Sequence, residues 1–385
     1  MLTDKGRSEL YRYKALWIGV ILLAVLTGCW DEKEIGEIAY VTAIGIDYKD
    51  ENYILYVQLL DFSNVAKQEG QKNSESAPLF VGKSSGKTFH EAVNNLYKTS
   101  QQPLNWGQIG SIIYSEAVLE KGIETIQQSI QRNPEFRFTP WMFGAKGSIE
   151  ELFAVSGFFH LPPVYTIMYQ PEDTYKVYSY IKPLRMYNFF SIYNAPGATA
   201  VLPSITVDKN AWRKFGTDEQ PKKTLRINGG FQITEGKYQD WMSYEDLTGV
   251  RWVESKTNIT PVKIIDNEKE IGIVEITSPS ARIKLIGNEG EAKFEIKIKA
   301  KGIVADLREE LNQSKIESLV KKQIKEEIRT TYQKGLEKNI DIYNLKNKLF
   351  RNGVNSEKLK KVQLSEDSLN KITVDFHLES SGILD

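Results

Sequence analysis

Two neighbouring runs, AYVTAIGIDY at residues 39–48 and YILYVQLLDF at residues 53–62, predict how the first part of this chain folds. Both runs are rich in β-branched and aromatic residues, which favour strands because their side chains pack well on a pleated surface. The four polar residues between them, 49–52, suit a short hairpin loop. We therefore predict an antiparallel β-hairpin at the start of a folded domain.

Strands and helices are predicted to alternate after this hairpin. Residues 63–77 are polar and indicate a loop, and Thr88 with Glu91 forms a capping box that begins a helix over 88–98. The elements predicted next are a strand at 109–114, a helix at 116–131, a strand at 136–145 and a short helix from Ser148. This alternation is typical of an α+β domain, which we place at residues 29–205.

A small β-rich domain is predicted over residues 206–266. Residues 224–234 and 238–242 indicate strands, and 249–253 indicates a third strand of the same small sheet. A polar, Gly- and Pro-containing stretch at 214–223 is typical of a loop near the domain boundary.

A C-terminal α+β domain is predicted over residues 267–385. Its strands are expected at 271–278, 281–285, 293–304 and 371–378, with a turn at 278–280. Apolar residues at every fourth position from Ile316 to Leu336 follow a second capping box, Ser314 with Glu317. That pattern predicts a long helix that covers the sheet.

The composition fits a chain of folded domains. Its 385 residues suffice for two or three domains of about 150 residues each. Hydrophobic residues make up 41% and charged residues 26%, which argues against a disordered, collagen-like or multispan membrane chain. The 50 basic and 50 acidic side chains give a net charge of zero, so the overall charge does not indicate a nucleic-acid partner. The predicted fold class is α+β, with three mixed domains and mainly antiparallel sheets.

The first 28 residues have the pattern of an export signal. Basic residues precede an unbroken apolar run at 15–25, which is shorter than the about 20 residues that a membrane-spanning helix needs. Leu26-Thr27-Gly28-Cys29 then places the only cysteine directly after a small-residue cleavage motif, and this resembles the lipobox of bacterial lipoproteins. We predict a signal peptide, 1–28, cleaved between Gly28 and Cys29. Cys29 would carry an S-diacylglyceryl group and an N-acyl chain such as palmitate, and two or more acyl chains anchor a protein stably on a membrane.

No motif in the sequence predicts a catalytic or metal site. Residues 82–88, GKSSGKT, resemble a phosphate-binding loop, but only three residues separate the two glycines where such a loop needs four. His90, His160 and His377 lack partners at metal-ligand spacing and are predicted to lie on the surface. Neither G-x-S-x-G nor H-E-x-x-H occurs. We therefore predict no catalytic residue, no metal and no cofactor.

Two groups of residues each allow more than one interpretation. Three pairs of neighbouring carboxylates could serve as acid and base, but adjacent helix residues do not face each other, so solvated faces are predicted. The pairs are Glu150-Glu151, Glu309-Glu310 and Glu326-Glu327. Tyrosine and phenylalanine are dense between Phe136 and Tyr193, and that stretch is compatible with a core, a partner-binding surface or a ligand pocket.

The segment Cys29-Trp30-Asp31, with Glu34-Ile35 and then Ala43-Ile44-Gly45-Ile46-Asp47, resembles the opening signature of the spore germination C-subunit family, written Ger(x)C. Further resemblances extend over nearly the whole mature chain. They are Gly86 with Thr88, Glu91 and Ala92; Arg132-Asn133; Leu202-Pro203-Ser204-Ile205; Gly230-Phe231 with Trp241; and Asp341-Ile342.

The resemblance implies a non-enzymatic lipoprotein of three α+β domains. Such a protein acts with two integral membrane subunits, A and B, in a nutrient germinant receptor on the outer face of the spore inner membrane. The lipid on Cys29 would hold it there, and whether the chain contacts the nutrient stays open. The alternative is a solute-binding lipoprotein of a membrane transport system, and a cell-envelope hydrolase is a third class. The meander-like strands and single long C-terminal helix favour separate α+β units over the two βαβ lobes typical of solute-binding proteins.

Overall fold

The computed structural model describes residues 13–14, 16–19, 38–60, 78–215, 220–287 and 292–379. The chain divides into two compact units, Met1–Ile38 and Ala39–Asp385. In the first unit, residues 13–14 and 16–19 are helical and exposed. Within the described part of the chain, no helix is both long and apolar enough to cross a membrane. Gly28, Cys29, residues 30–35 of the family-like signature and the predicted loop at 63–77 lie outside the described residues.

The described residues of the second unit form a ten-stranded sheet, a four-stranded sheet and a two-stranded ribbon. In chain order the strands are β1 (Ala39–Lys49), β2 (Asn52–Leu60), β3 (Leu79–Gly86), β4 (Leu104–Asn105), β5 (Ser111–Ser115), β6 (Trp141–Ala145), β7 (Leu184–Arg185), β8 (Thr199–Asp208), β9 (Arg213–Lys214), β10 (Gln220–Pro221), β11 (Thr224–Thr234), β12 (Lys237–Ser243), β13 (Ile259–Asp266), β14 (Lys269–Leu285), β15 (Phe294–Leu307) and β16 (Leu369–Leu378).

All described α-helices but one span at most nine residues, and the exception, near the C-terminus, spans 25. They are α1 (Phe89–Tyr97), α2 (Glu116–Lys121), α3 (Glu124–Arg132), α4 (Ile149–Phe153), α5 (Pro171–Val177), α6 (Met186–Tyr193), α7 (Val250–Val253), α8 (Gln313–Glu337), α9 (Leu345–Arg351) and α10 (Ser356–Lys361). Short 3-10 helices lie at Phe158–His160, Pro163–Tyr165 and Glu366–Ser368.

The ten-stranded sheet mixes parallel and antiparallel pairs. Its order is β12-β11-β8-β6-β5-β1-β2-β3, with β4 paired to β1 and β7 paired to β6. Strands β1, β5, β6 and β8 run parallel to one another, and the other neighbours along this path are antiparallel. The four-stranded sheet has the order β13-β14-β15-β16, and only its β15–β16 pair is parallel. This arrangement confirms the predicted α+β class with mainly antiparallel sheets.

The predicted hairpin is confirmed, with a tighter loop than expected. Strands β1 and β2 pair as far as Lys49 and Asn52, so only Asp50 and Glu51 connect them. Both residues have positive φ, 50° and 57°. Two central residues in this region are typical of the type I′ turn, whose twist matches that of the flanking strands.

Local capping signals place several helices. The Thr88 hydroxyl accepts a hydrogen bond from the Glu91 amide at 3.1 Å, which begins α1 where the capping box predicted it. The helix predicted over 116–131 is instead two helices, α2 and α3. Gly122 separates them because it adopts φ +97°, a backbone conformation that ends a helix and favours glycine.

The predicted small sheet of residues 206–266 does not form as a sheet of its own. Strands β11 and β12 extend the ten-stranded sheet, whereas β13 belongs to the four-stranded sheet. The predicted strand at 249–253 is wrong, since residues 250–253 are helix α7. The three domain boundaries themselves stay a prediction.

The C-terminal sheet is close to the predicted arrangement. Strand β14 runs through residues 278–280, where a turn was expected; Ser278 has φ +43° there and the pairing register shifts, so this point is a β-bulge. Helix α8 covers the sheet with the predicted apolar stripe, of which Ile316, Val320 and Ile324 are buried. Its N-cap is Asn312, whose side chain accepts from the Lys315 amide at 2.9 Å, rather than Ser314.

Candidate functional site

The glycines of the family-like motifs lie at points of close packing. Helix α4 crosses Gly45, and a Cβ at Gly45 would collide with the Ile149 side chain. A Cβ at Gly86 would lie 2.6 Å from the Ala92 amide nitrogen, and one at Gly230 would lie 2.7 Å from the Val201 side chain. These three glycines therefore let elements approach each other, which is a structural role.

Other motif residues also make structural contacts. Phe231 pairs with Trp241 across β11 and β12. Asp341 is buried and accepts hydrogen bonds from the Leu345 and Lys346 amides, at 2.9 and 2.6 Å, at the start of α9. Burial raises the pKa of Asp341 to about 6, although the two amides oppose that change.

The three histidines are exposed, as predicted. Among the described residues, no group of three or more His, Cys, Asp or Glu side chains is placed to hold a metal ion. Residues 82–86 of the sequence that resembled a phosphate loop belong to strand β3.

The two carboxylates of the pair Glu326-Glu327 differ in exposure. Glu326 is exposed as predicted, but the prediction is wrong for Glu327, whose side chain is only 12% exposed. Its carboxylate accepts from the Arg251 guanidinium at 2.9 and 2.7 Å and from the Trp252 indole at 2.7 Å. Sequence reasoning missed this pair. The available signal was a single arginine inside the apolar run Val250-Arg251-Trp252-Val253.

The aromatic-rich stretch 136–193 is divided among the core, the exposed surface and the wall of a cavity. Core residues include Phe143, Phe153 and Phe189. Exposed residues include Phe138, Phe159 and Tyr187. Three tyrosines, Tyr175, Tyr178 and Tyr180, line a cavity.

This tyrosine cavity lies against the ten-stranded sheet and has a volume of ≈ 600 Å³. Its walls come from α5 and the residues after it, from β8, β11 and β12, and from the segment after β12. Ser179, just after α5, connects this wall of the cavity to the four-stranded sheet. Its amide donates to the Ile259 carbonyl at 2.8 Å, and its hydroxyl accepts from the Asn258 amide at 3.0 Å. The volume and largely apolar lining are typical of small-molecule pockets.

Stacked rings form one side of the cavity. The Tyr180 ring centroid lies 4.8 Å from that of Tyr178 and 4.5 Å from that of Tyr244. The Arg251 guanidinium carbon lies 4.1 Å from the Tyr180 ring centroid, and the Arg251 side chain is 2% exposed. Arg251 also donates to the Thr260 hydroxyl at 2.9 Å. A cation–π contact and a buried ion pair therefore support the cavity wall from inside.

The tyrosines give the cavity neutral hydroxyls, and Arg226 and Glu245 also line it. Burial raises the pKa values of Tyr175 and Tyr180 to about 12, and it raises the pKa of Tyr244 further. These phenols stay protonated at neutral pH, so they can donate and accept hydrogen bonds but are poor nucleophiles and bases. The phenols therefore suit hydrogen bonding to a bound molecule.

Comparison with known proteins accounts for most of the chain. A family model described as "Spore germination protein N-terminal domain" matches residues 31–207, and one described as "Spore germination B3/ GerAC like, C-terminal" matches residues 228–382. Together these matches define a spore germination protein. The chain belongs to the Ger(x)C family, the C-subunit family of germinant receptors.

Relatives from Bacillus subtilis (strain 168) agree with this family. Spore germination protein KC is 22% identical over 88% of this chain and 88% of its own length. Spore germination protein B3 is 21% identical over 83% of this chain and 80% of its own length. A putative spore germination protein, YfkR, is 23% identical over 76% and 74%, respectively. The crystal structure of the GerBC protein has a TM-score of 0.53 and 15% identity, covers 88% of this chain and 97% of that chain, and shows a shared fold.

Proposed function

We propose that this protein is a lipid-anchored, non-enzymatic subunit of a nutrient germinant receptor. It acts with integral membrane A and B subunits on the outer face of the spore inner membrane. The main support for this proposal is that two spore germination family models match residues 31–207 and 228–382. A relative named as a spore germination protein also aligns over 88% of both chains, so the likeness is not confined to one domain.

Copurification tests the receptor assignment. The protein would be tagged at its C-terminus and purified from detergent-solubilised inner membranes of dormant spores, and accompanying proteins would be identified by mass spectrometry. We expect two multispan proteins encoded beside it. A transport permease and ATPase, or no multispan protein, would reject the assignment.

The anchor is proposed on Cys29, with signal cleavage after Gly28. The N-terminal family match begins at residue 31, two residues after that cysteine. A tethered protein meets membrane partners at high effective concentration, so weak contacts can suffice for assembly. The lipid would therefore replace part of the affinity for the A and B subunits.

The test is the Cys29→Ala substitution. Three quantities would be measured: the mass of the mature N-terminal peptide, the amount of receptor in the membrane, and the nutrient response. We expect loss of the acyl mass, release from the membrane and a weaker response, with the soluble chain still folded. Thr27→Ser keeps a small residue in the cleavage motif and should behave as the unaltered protein. Full receptor level and response in Cys29→Ala would contradict the proposed role of the anchor.

A solute-binding lipoprotein of a transport system is the second candidate, and the tyrosine cavity is the observation that favours it. Heat denaturation with amino acids, sugars and nucleosides would detect such a ligand. If this candidate is right, one compound raises the melting temperature of the protein. Thr174→Trp puts a large ring at the cavity wall and should abolish that rise in melting temperature. No shift with any compound would remove this candidate.

A further inference from the structure

Aromatic side chains cluster on the exposed surface beside the two-stranded ribbon. Phe159 is 92% exposed, Trp212 is 55% exposed and Phe215 is 74% exposed. The ring of Phe158 contacts that of Trp212 edge-on, with centroids 5.0 Å apart. Single exposed apolar residues are common on soluble proteins, but such a cluster is typical of an interaction site.

The backbone holds Phe159 outward at an energetic cost. Phe159 and His160 have φ values of +54° and +63°, in the left-handed region that non-glycine residues rarely adopt. Hydrogen bonds from the Gly157 amide to the Leu161 carbonyl, 2.9 Å, and from the Leu161 amide to the Phe158 carbonyl, 3.0 Å, close the loop. Non-glycine residues in this region cluster at functional sites. A ring that is held in a strained conformation and faces water is best explained by a contact outside the chain.

Basic residues lie in the ribbon and next to it along the chain. Arg213 and Lys214 follow Trp212 directly, and the Lys222 amide donates to the Trp212 carbonyl at 2.9 Å. The neighbouring segments add Lys209, Lys223 and Arg226. The described acidic residues paired with them are Glu151, which contacts Lys209 and Lys223 at 2.7 and 3.1 Å, and Asp208, which contacts Arg226 at 3.3 Å. Asp218 and Glu219 fall in the undescribed residues 216–219, and even with them the basic residues are in excess.

The positive charge is locally concentrated. Lys214 pairs with Gln220 across the ribbon, and Lys222 follows two residues later, so the two side chains are close in the fold. Burial, and then the charge of Lys214, lowers the pKa of Lys222. The whole chain has a net charge of zero, so this excess belongs to the surface and not to the composition. A partner that fits it carries negative charge and accepts aromatic rings.

We propose that this aromatic–basic surface, formed by Phe158, Phe159, Trp212, Arg213 and Lys214, binds the headgroup region of an anionic lipid bilayer. Tryptophan favours the membrane–water interface because its ring is apolar and its N–H is polar, and phenylalanine rings bury on the apolar side of that interface. Lysine and arginine beside them are attracted to anionic headgroups. Exposed rings beside an excess of basic side chains therefore fit the charge and the depth of an anionic headgroup region.

Vesicle flotation tests the surface without the anchor. The assayed chain begins at Trp30, and it keeps the fold because all described strands lie in the compact unit Ala39–Asp385. We expect it to float with vesicles of phosphatidylcholine and phosphatidylglycerol, not with phosphatidylcholine alone, and to lose binding as salt rises. Arg213→Gln with Lys214→Gln, and separately Phe159→Ser with Trp212→Ser, should each weaken binding at least about tenfold.

Two matched controls keep the test specific. Phe80→Ser removes an aromatic ring that is 63% exposed on β3, and Lys322→Gln with Lys325→Gln removes two exposed charges on α8. Both should bind as the unaltered chain does. Equal binding by all variants, equal binding to neutral vesicles, or binding only to an acidic protein would each overturn the proposal. Because the assayed chain carries no lipid, failure here leaves the proposed Cys29 anchor and receptor role untouched.

Discussion

Around Tyr180, aromatic rings enclose a cation that a carboxylate neutralises, whereas at the aromatic–basic surface the rings and cations face water. In the first region Arg251 is buried, stacked on Tyr180 and paired with Glu327. In the second, the Trp212 and Phe159 rings are exposed and basic residues outnumber acidic ones. The same residue types thus serve two purposes, which burial and charge balance distinguish.

This difference between the two regions predicts different effects of mutation on stability. A buried ion pair is costly to break because the remaining charge has lost its water and has no new partner. An exposed ring or cation has little native contact to lose, so its replacement changes binding rather than folding. Stability should therefore be sensitive at the Tyr180 region and insensitive at the aromatic–basic surface.

The largest effect is expected at Glu327. Glu327→Gln would leave the Arg251 guanidinium buried without a counter-charge, so we expect a loss of about 3 to 5 kcal/mol in the free energy of unfolding. Urea denaturation of the chain from Trp30 would measure it. The neighbouring carboxylate supplies the control: Glu326 is exposed, and Glu326→Gln should change stability by less than about 0.5 kcal/mol. Equal effects of the two changes would contradict the distinction between the regions.

Asp341 sharpens the comparison because it is a buried carboxylate held mainly by backbone amides. Its pKa of about 6 in the folded protein lies above its usual 3.8, so the folded state binds the proton more tightly than the unfolded state. The resulting stability is present at low pH and is lost as the pH rises from about 4 to about 6, by about 2 to 3 kcal/mol.

Asp341→Asn should remove that part of the pH dependence. The variant's stability relative to the unaltered chain is then expected to increase between about pH 4 and pH 6, as measured by urea denaturation across that range. Other carboxylates, including Glu295 and Glu317, have lowered pKa values and act in the opposite direction. The comparison must therefore be made variant against parent at each pH. A constant difference would show that Asp341 titrates normally.

Sequence patterns predicted the elements that local residues determine. The hairpin, the Thr88 cap and the apolar stripe of α8 all follow from residues within a few positions of one another. Sequence patterns predicted the wrong element where contacts between residues distant in sequence determine the structure. Residues 250–253 have strand-like composition, but Arg251 pairs with Glu327, 76 positions later, and the segment is helical.

The candidate site depends on such distant contacts. Aromatic density in 136–193 was visible in the sequence, but its division among core, cavity and surface was not, because each ring's environment comes from other elements. Tyr180 packs on Tyr244 and Arg251, and Phe158 packs on Trp212. None of these partners lies in the aromatic-rich stretch.

A matched pair of aromatic truncations tests the comparison directly. Tyr180→Ala removes a ring that stacks on Tyr244 and contacts the Arg251 guanidinium, so we expect a loss of about 2 kcal/mol in the free energy of unfolding. Trp212→Ala removes a larger but exposed ring and should cost less than about 0.5 kcal/mol. Thermal unfolding monitored by circular dichroism would separate them. A larger loss at Trp212 would mean that the surface cluster is a structural element.

The smallest expected effect has the opposite sign. Phe159 adopts a left-handed backbone conformation with its ring in water, so Phe159→Gly should relieve strain while losing few contacts. Glycine also gives the unfolded chain more freedom, which offsets part of the gain, and we expect a net increase of at most about 1 kcal/mol in the free energy of unfolding. Phe138→Gly, at another exposed phenylalanine without positive φ, should not stabilise the protein. A gain in stability at Phe159 together with weaker vesicle binding would show that the strain is kept for the contact; a loss in stability would mean that Phe159 supports the fold from its exposed position.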